Sequence, residues 1–177
     1  RKIVAEGPAP GIRVWSPDTR MSYLATELLR SPGDSLALAA LLPTTQVEQG
    51  PSWEPHYWTL PMLTGIEAVS KSSLKCSVSK IDDQYVIVKI SGGVEGATLG
   101  AFANIEVDGE IAFDRKANHI RQAKITQTEK RTVGAVSPGR NVTATVYVDR
   151  QISGVKGGLT DLAIDAIPIS PEADQLA

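Results

Sequence analysis

The stretch from Leu74 to Arg150 alternates short apolar and polar runs, with turn residues between them. Alternation with a period of two residues is typical of strands that bury one face, and clusters of Gly, Asp, Asn and Pro mark turns. The stretch therefore predicts a meander of antiparallel strands. The expected fold class is mainly β (α+β): a curved antiparallel meander, half-barrel or sandwich, with one N-terminal amphipathic helix packed on it.

Two hairpins are predicted in the first part of the meander. Residues 82–84 turn a strand that begins at Leu74 into a β-branched strand over residues 85–90. Residues 91–96 hold three glycines and are interpreted as a flexible connector. Asp108-Gly109 then predicts the second hairpin, because this dipeptide suits the positive φ angles of a two-residue type I′ turn.

The last part of the meander predicts two further strands. A turn at residues 114–118 leads into a strand over residues 120–130, and Ser137-Pro138-Gly139 leads into the final clear strand. One side of that final strand is apolar and the other is polar. The apolar side consists of Val142, Ala144, Val146 and Val148, and the polar side of Asn141, Thr143, Thr145 and Tyr147.

The ends of the chain are less regular. Ser16 and Pro17 predict the start of an amphipathic helix, and residues 36–42 fit either a short buried strand or a helical turn. Leu159 to Ile169 predicts one more strand, which Pro168 restricts to a sheet edge. We expect one globular domain with three parts: residues 1–70 as arm, helix and aromatic loop, residues 71–169 as the antiparallel β-domain, and residues 170–177 as a polar tail.

Composition argues against several classes of protein. A formal net charge of -2 with 5% aromatic residues is unlike a nucleic-acid-binding domain. The longest apolar run is far shorter than the ~20 residues of a membrane span, so no transmembrane segment is expected. His56 and His119 lie in separate segments, and the single cysteine, Cys76, reads as a small core residue, so neither a metal site nor a cofactor is expected.

Two groups of residues are candidates for contact with a partner. The first is an aromatic loop, which alternatively plugs one end of the sheet. The second belongs to a basic region, residues 115–140, where seven basic residues accompany a single acid, whereas residues 159–177 hold four acids and no base. Such a division favours attraction between surfaces, although a plain solvated face explains it too. The candidates are Trp53, His56, Tyr57 and Trp58 in the loop, and Arg121, Lys124, Lys130 and Arg131 in the basic region.

The stretch from Gly100 to Val148 contains Phe113-Asp114, Gln-Thr-Glu-Lys-Arg at residues 127–131 and Ser137-Pro138-Gly139. With these motifs it resembles a group of exported bacterial β-proteins of unknown function, which are similar in pattern to half-barrel lipoprotein carriers. The resemblance implies an extracytoplasmic location, whether periplasmic, cell-surface or secreted, and an open curved sheet. It carries no catalytic residues across.

Three functions remain open at this point. The first is a non-enzymatic structural or assembly module that contacts a protein partner or self-assembles, because an exposed sheet edge is a template for another chain. The alternative is a carrier that holds an apolar ligand in a curved-sheet cavity. A hydrolase built from scattered carboxylates is the third. The candidate lining of the carrier cavity is Phe102, Ile105, Ile111, Phe113 and Ile125.

Overall fold

The structure is a computed structural model that describes residues 4–6, 13–16, 19–22, 25, 37–45 and 47–152. A small two-stranded sheet pairs β1 (Val4–Glu6) with β2 (Arg13–Trp15). Within the described residues, seven further strands form one open antiparallel sheet, which confirms the mainly β meander. These strands are β3 (Ser52–Trp53), β4 (Ala68–Ser72), β5 (Lys75–Ile81), β6 (Tyr85–Thr98), β7 (Ala101–Asp114), β8 (His119–Arg131) and β9 (Arg140–Asp149).

The strand order places β4 and β5 on the same side of β6. The order is β3-β5-β6-β7-β8-β9, with β4 also paired to β6. β5 pairs with residues 86–91 of β6, and β4 pairs with residues 94–97. Between them the N–H of Ser73 donates to the carbonyl oxygen of Gly93 at 2.8 Å. One side of β6 is therefore shared by two short strands, whereas β7, β8 and β9 follow as long hairpin neighbours.

The core lies on one face of the sheet, the inner face, beneath two short helices. The 3-10 helix η1 (Ala37–Leu41) settles the ambiguous run at residues 36–42 as a helical turn. The α-helix α1 (Thr59–Thr64) ends at Gly65, whose φ of 73° suits a left-handed C-cap. The fully buried side chains that join helices and sheet include Leu38, Leu41, Leu63, Ile66, Leu74, Cys76, Val88, Ile90, Val94, Ile111 and Ile125.

The second hairpin turns at Leu99-Gly100, so the prediction of a turn at Asp108-Gly109 is wrong. Leu99 and Gly100 have φ angles of 51° and 71°, and Thr98 pairs directly with Ala101, as in a two-residue turn with both φ positive. Asp108 and Gly109 lie inside β7. The physical reason is that Val107 and Ile111 keep the same buried phase on either side of Gly109, so the strand alternation continues through it.

The glycine-rich connector predicted at residues 91–96 is also wrong, because these residues lie inside β6. The turn at residues 82–84 and the strands β8 and β9 are confirmed. The turn predicted at residues 114–118 occupies residues 115–118, because Asp114 is the last residue of β7. Cys76 is fully buried, as expected of a core residue. Most of the predicted N-terminal amphipathic helix, the strand over residues 159–169 and the tail over 170–177 lie outside the described residues.

Candidate functional site

β9 forms one edge of the sheet. It pairs with β8 without a register shift, from Arg131↔Arg140 to Gln122↔Asp149, and no strand in the described part of the chain pairs with its other side. The N–H of Arg150 donates to the carbonyl oxygen of Arg121 at 2.8 Å. Hydrogen-bond directions alternate along a strand, so the even-numbered residues of β9 direct their N–H and C=O groups to β8. Those of the odd-numbered residues point to the free side, which we call the β9 edge.

The inner face of β9 carries an apolar stripe, which we call the inner stripe: Val142, Ala144, Val146 and Val148. Val146 and Val148 continue the core of β8, because they pair with Ile125 and Ala123. Val142 and Ala144 instead pair with the buried polar residues Glu129 and Gln127. Ile125 is 1% exposed, whereas Val142 is 43% exposed. Ala144 is exposed, and Val146 and Val148 are half-buried. The apolar surface therefore extends one strand further than the packing that covers it.

The opposite, outer face of β9 is polar and ordered by cross-strand contacts. The hydroxyls of Thr126 and Thr145 lie 3.0 Å apart, and those of Thr128 and Thr143 lie 3.2 Å apart. Such directly opposed pairs stabilise a two-stranded ladder. Tyr147 pairs with Lys124 across the strands. The Lys124 ammonium lies 5.6 Å from the centroid of the Tyr147 ring.

A shallow hollow of about 680 Å³ lies beside this ladder. It spans β6 to β9, and Tyr147 contributes to its wall. Charged and polar residues outnumber the apolar ones in its wall, so it offers no continuous apolar lining for a ligand. The polar side chains that line it include Lys89, Asp108, Glu110, Gln122, Lys124, Thr126 and Asp149.

An ion pair with β8 holds each end of β9, and β9 supplies the base at its start and the acid at its end. At its start the buried Glu129 carboxylate accepts hydrogen bonds from Arg131 Nε at 2.6 Å and from Arg140 Nη2 at 2.5 Å. At its end Asp149 Oδ1 accepts a hydrogen bond from Arg121 Nη1 at 2.5 Å. β9 therefore begins with a basic residue and ends with an acidic one, and both ends are tied to β8.

The aromatic candidates lie at the other side of the sheet, around β3 and the start of α1. Trp53 is half-buried, and its indole N–H donates to the carbonyl oxygen of Leu41 at 3.1 Å. His56 and Trp58 are in ring contact, with centroids 5.8 Å apart. Tyr57 is 61% exposed, and its hydroxyl donates to the carbonyl oxygen of Val69 at 2.9 Å. These side chains support the helix and β4.

The basic candidates all lie on β8, next to β9, so the structure does not bring them together with the aromatic loop. Lys124 and Lys130 are on the exposed outer face. Arg131 is bound to Glu129 and has a side chain only 9% exposed. Arg121 donates to Asp149 and to the carbonyl oxygen of Arg150. Two of the four are therefore engaged in holding β9, and two remain on the surface.

The candidate lining of an apolar cavity divides between the two faces. Ile105, Ile111 and Ile125 are buried in the core, and Phe113 packs against it. Phe102 is 49% exposed and pairs with Ala97 on the outer face, because it is one residue out of phase with Ala103 and Ile105. The prediction that Phe102 lines this cavity is therefore wrong.

Sequence reasoning identified the apolar side of β9 but not that it forms a sheet edge. It also missed the buried Glu129 and its bond to Arg140. The signal was the alternation along β8. Glu129 and Arg131 follow the buried Ile125 and Gln127 at every second position, and alternate residues of a strand lie on the same face.

Among the described residues, no group of three or more His, Cys, Asp or Glu side chains could hold a metal ion. No helix in that part of the chain is long and apolar enough to cross a membrane. Comparison of the chain with family models, with curated proteins and with solved structures gave no match.

Proposed function

We propose that this chain is a non-enzymatic structural or assembly module, and that it acts through protein-protein contacts at the β9 edge. The observation that supports this most directly is the ten-residue edge strand with a partly exposed inner stripe. An extended segment can add to such an edge through main-chain hydrogen bonds, while alternate side chains enter the apolar face. Here both elements of recognition occur on one strand.

Apart from Arg140 at its first position, β9 lacks the devices that usually block edge pairing. Natural edge strands are interrupted by bulges, by Pro, or by lysines and charges that point inward. Between Asn141 and Val148 the strand has no proline and no charged residue. Its pairing with β8 also shows no bulge. An edge of this length without protection favours a strand partner over solvent.

The packing of the inner face gives less support to an apolar carrier. Leu38 and Leu41 of η1 and Leu63 of α1 are fully buried in one cluster with the sheet. They occupy the space that a ligand between helices and sheet would need. The hollow on the outer face has no continuous apolar lining. We therefore favour the contact module over the carrier.

The extracytoplasmic location remains part of the proposal. Its support is the resemblance of residues 100–148 to exported bacterial β-proteins. Fractionation of cells that produce the protein, with an antibody against the chain, would test it. Recovery in the periplasmic, surface or secreted fraction is expected, and exclusive recovery in the cytoplasm would contradict the location without affecting the contact site.

Binding of an extended peptide tests the contact site directly. The probe is a fluorescent peptide in which Thr and Val alternate between terminal lysines, and the readout is fluorescence anisotropy. We expect saturable binding to the parent chain and at least a tenfold weaker affinity for Thr145→Pro. Proline removes a backbone N–H that points to the free edge, but no ladder bond to β8.

Thr145→Val is the matched control, because it keeps the N–H and the β-branched shape and should bind as the parent does. A peptide of the same composition in scrambled order controls for non-specific binding. Equal binding of the peptide by Thr145→Pro and Thr145→Val, or no binding by the parent, would contradict the proposed contact site. Far-UV circular dichroism must show that Thr145→Pro is folded.

A further inference from the structure

We infer that the partner of the β9 edge is β9 of a second copy of this chain, paired antiparallel about a twofold axis at Thr145. This inference rests on the proposed contact site and names its occupant. Twofold dimers are built from a patch that is complementary to itself. A twofold dimer at this edge therefore requires β9 to match its own sequence in reverse.

The inner stripe matches itself in this register. Thr145 opposes Thr145 of the second copy, which sets Val142 against Val148 and Ala144 against Val146. Every inner pair between residues 142 and 148 is then apolar on both sides. Because Val142 is 43% exposed in the single chain, pairing would place an apolar neighbour beside it. A shift by one residue would set the inner stripe against the polar face, so parity excludes it.

The backbone and the outer face also match in this register. The odd-numbered residues direct their N–H and C=O groups to the free edge, so Thr145 and its copy form a hydrogen-bonded pair. On the outer face, Thr126 and Thr145 are already in contact at 3.0 Å. Pairing extends them into a row of four threonine hydroxyls. In such a row the threonine hydroxyls can hydrogen-bond to one another across the strands.

The charges favour the antiparallel direction. β9 starts beside Lys130 and Arg140 and ends at Asp149. Reversal sets Asn141 opposite Asp149 of the second copy, with Lys130 one strand behind in the same row. It also sets Arg140 opposite Arg150. A parallel pairing in register would instead set each Asp149 against the other, and each Arg140 against the other. The antiparallel direction is therefore favoured because it separates the two Asp149 carboxylates, and Arg140 keeps its own partner in Glu129.

Distances between spin labels test this arrangement. Burial raises the pKa of the Cys76 thiol to about 12, so an introduced cysteine is the one that reacts at neutral pH. In a dimer of Asn141→Cys the labelled residues should lie about 27 Å apart, since eight residues of about 3.4 Å separate them along the strands. In Lys89→Cys they should lie about 36 Å apart, because seven strand spacings of about 4.8 Å separate them across the sheet and four residues of about 3.4 Å separate them along it.

Sedimentation equilibrium on the same proteins measures the monomer-dimer equilibrium. The inference is supported by a reversible dimer with both distances that Lys89→Cys forms as tightly as the parent, and that Thr145→Pro loses or weakens at least tenfold. A dimer in which Lys89 labels are closer than Asn141 labels uses another face and overturns it. A monomer that still binds the Thr-Val peptide also overturns it, but leaves the contact site in place for a foreign strand. A monomer that binds no peptide overturns both.

Discussion

The two edges of the sheet are built in opposite ways. On one side, β6 is flanked by two short strands, β4 and β5, each with an irregular register, and we call this the divided edge. Beyond β5 lie the two residues of β3, and Gln49 and Gly50 donate hydrogen bonds to the carbonyl oxygens of Ser79 and Val78. On the other side, β9 runs for ten residues without interruption.

The difference lies in protection rather than in hydrophobicity. Both edges have valines on the inner face, but these valines differ in exposure. Val78 of β5 is 2% exposed, whereas Val142 of β9 is 43% exposed. Lys71, Lys75 and Lys80 stand exposed along the divided edge, and such residues discourage pairing with another chain. Among the residues that the structure describes, one edge is closed by segments of the chain and the β9 edge has no strand neighbour, which is why we propose the contact at β9.

The largest effect is expected where the divided edge bends. Gly92 has a φ of +133°, and a Cβ there would lie 2.4 Å from the carbonyl oxygen of Ser73. Gly92→Val should therefore lower the free energy of unfolding by about 3 kcal/mol or more, because strain and a backbone clash add. Urea unfolding followed by circular dichroism measures this.

Gly93→Ala is the neighbouring control. Its added Cβ would meet the end of the flexible Glu106 side chain at 3.0 Å, and the change should be below about 1 kcal/mol. If both variants unfold at the urea concentration of the parent, the break between β4 and β5 does not depend on this glycine, and the divided edge is not as described.

A matched pair of truncations compares the edges directly. Val78→Ala removes buried methyl groups and should destabilise the chain by about 2 kcal/mol. Val142→Ala, at the equivalent inner position of β9, should change the stability of the monomer by less than about 0.5 kcal/mol. Equal losses in dilute solution would show that the inner stripe is covered within the single chain, and the two edges would then be alike.

A smaller effect of opposite sign is expected at the turn between β6 and β7, which belongs to neither edge. Leu99 has a φ of 51° and a side chain 49% exposed, so it loses little packing when replaced. Leu99→Asn should stabilise the chain by about 1 kcal/mol, because Asn-Gly is the preferred type I′ dipeptide. Leu99→Ala retains the strain and should give no gain. Thermal unfolding of both variants decides this, and peptide binding at β9 should be unchanged.

This turn also shows how far the sequence alone leads. Alternation was enough to predict the meander, β8, β9 and the turn after β5. It misplaced the β6–β7 turn because Asp108-Gly109 matches the preferred dipeptide, whereas Leu99-Gly100 places a leucine at positive φ. Local turn preference was given more weight than the unbroken burial phase from Ile105 to Ile111.

The candidate site was less predictable, for a topological reason. Which strand lies at an edge depends on pairings between segments, and nothing in Val142 to Val148 distinguishes an edge strand from a central one. The division of β6 between β4 and β5 depends on Ser73 meeting Gly93, twenty residues away. Side-chain pattern reports the buried face of a strand, not its number of neighbours.

The smallest expected effect concerns pH at the turn that closes the divided edge. The Lys80 ammonium and the backbone N–H groups of Tyr85 and Gln84 bind the Asp82 carboxylate and lower its pKa from 3.8 to about 2. A depressed carboxyl pKa stabilises the fold above the unfolded pKa, and that contribution is lost as the pH falls from about 4 to about 2.

The melting temperature of the parent should therefore fall more steeply over this range than that of Asp82→Asn, with Asp83→Asn as the charge-matched control. Because the side chain is exposed, the difference should be modest at low salt and smaller in high salt. Parallel curves for the parent and Asp82→Asn would show that this carboxylate does not hold the β5–β6 turn, and the closure of the divided edge would then rest on β3 and the hydrogen bonds from Gln49 and Gly50.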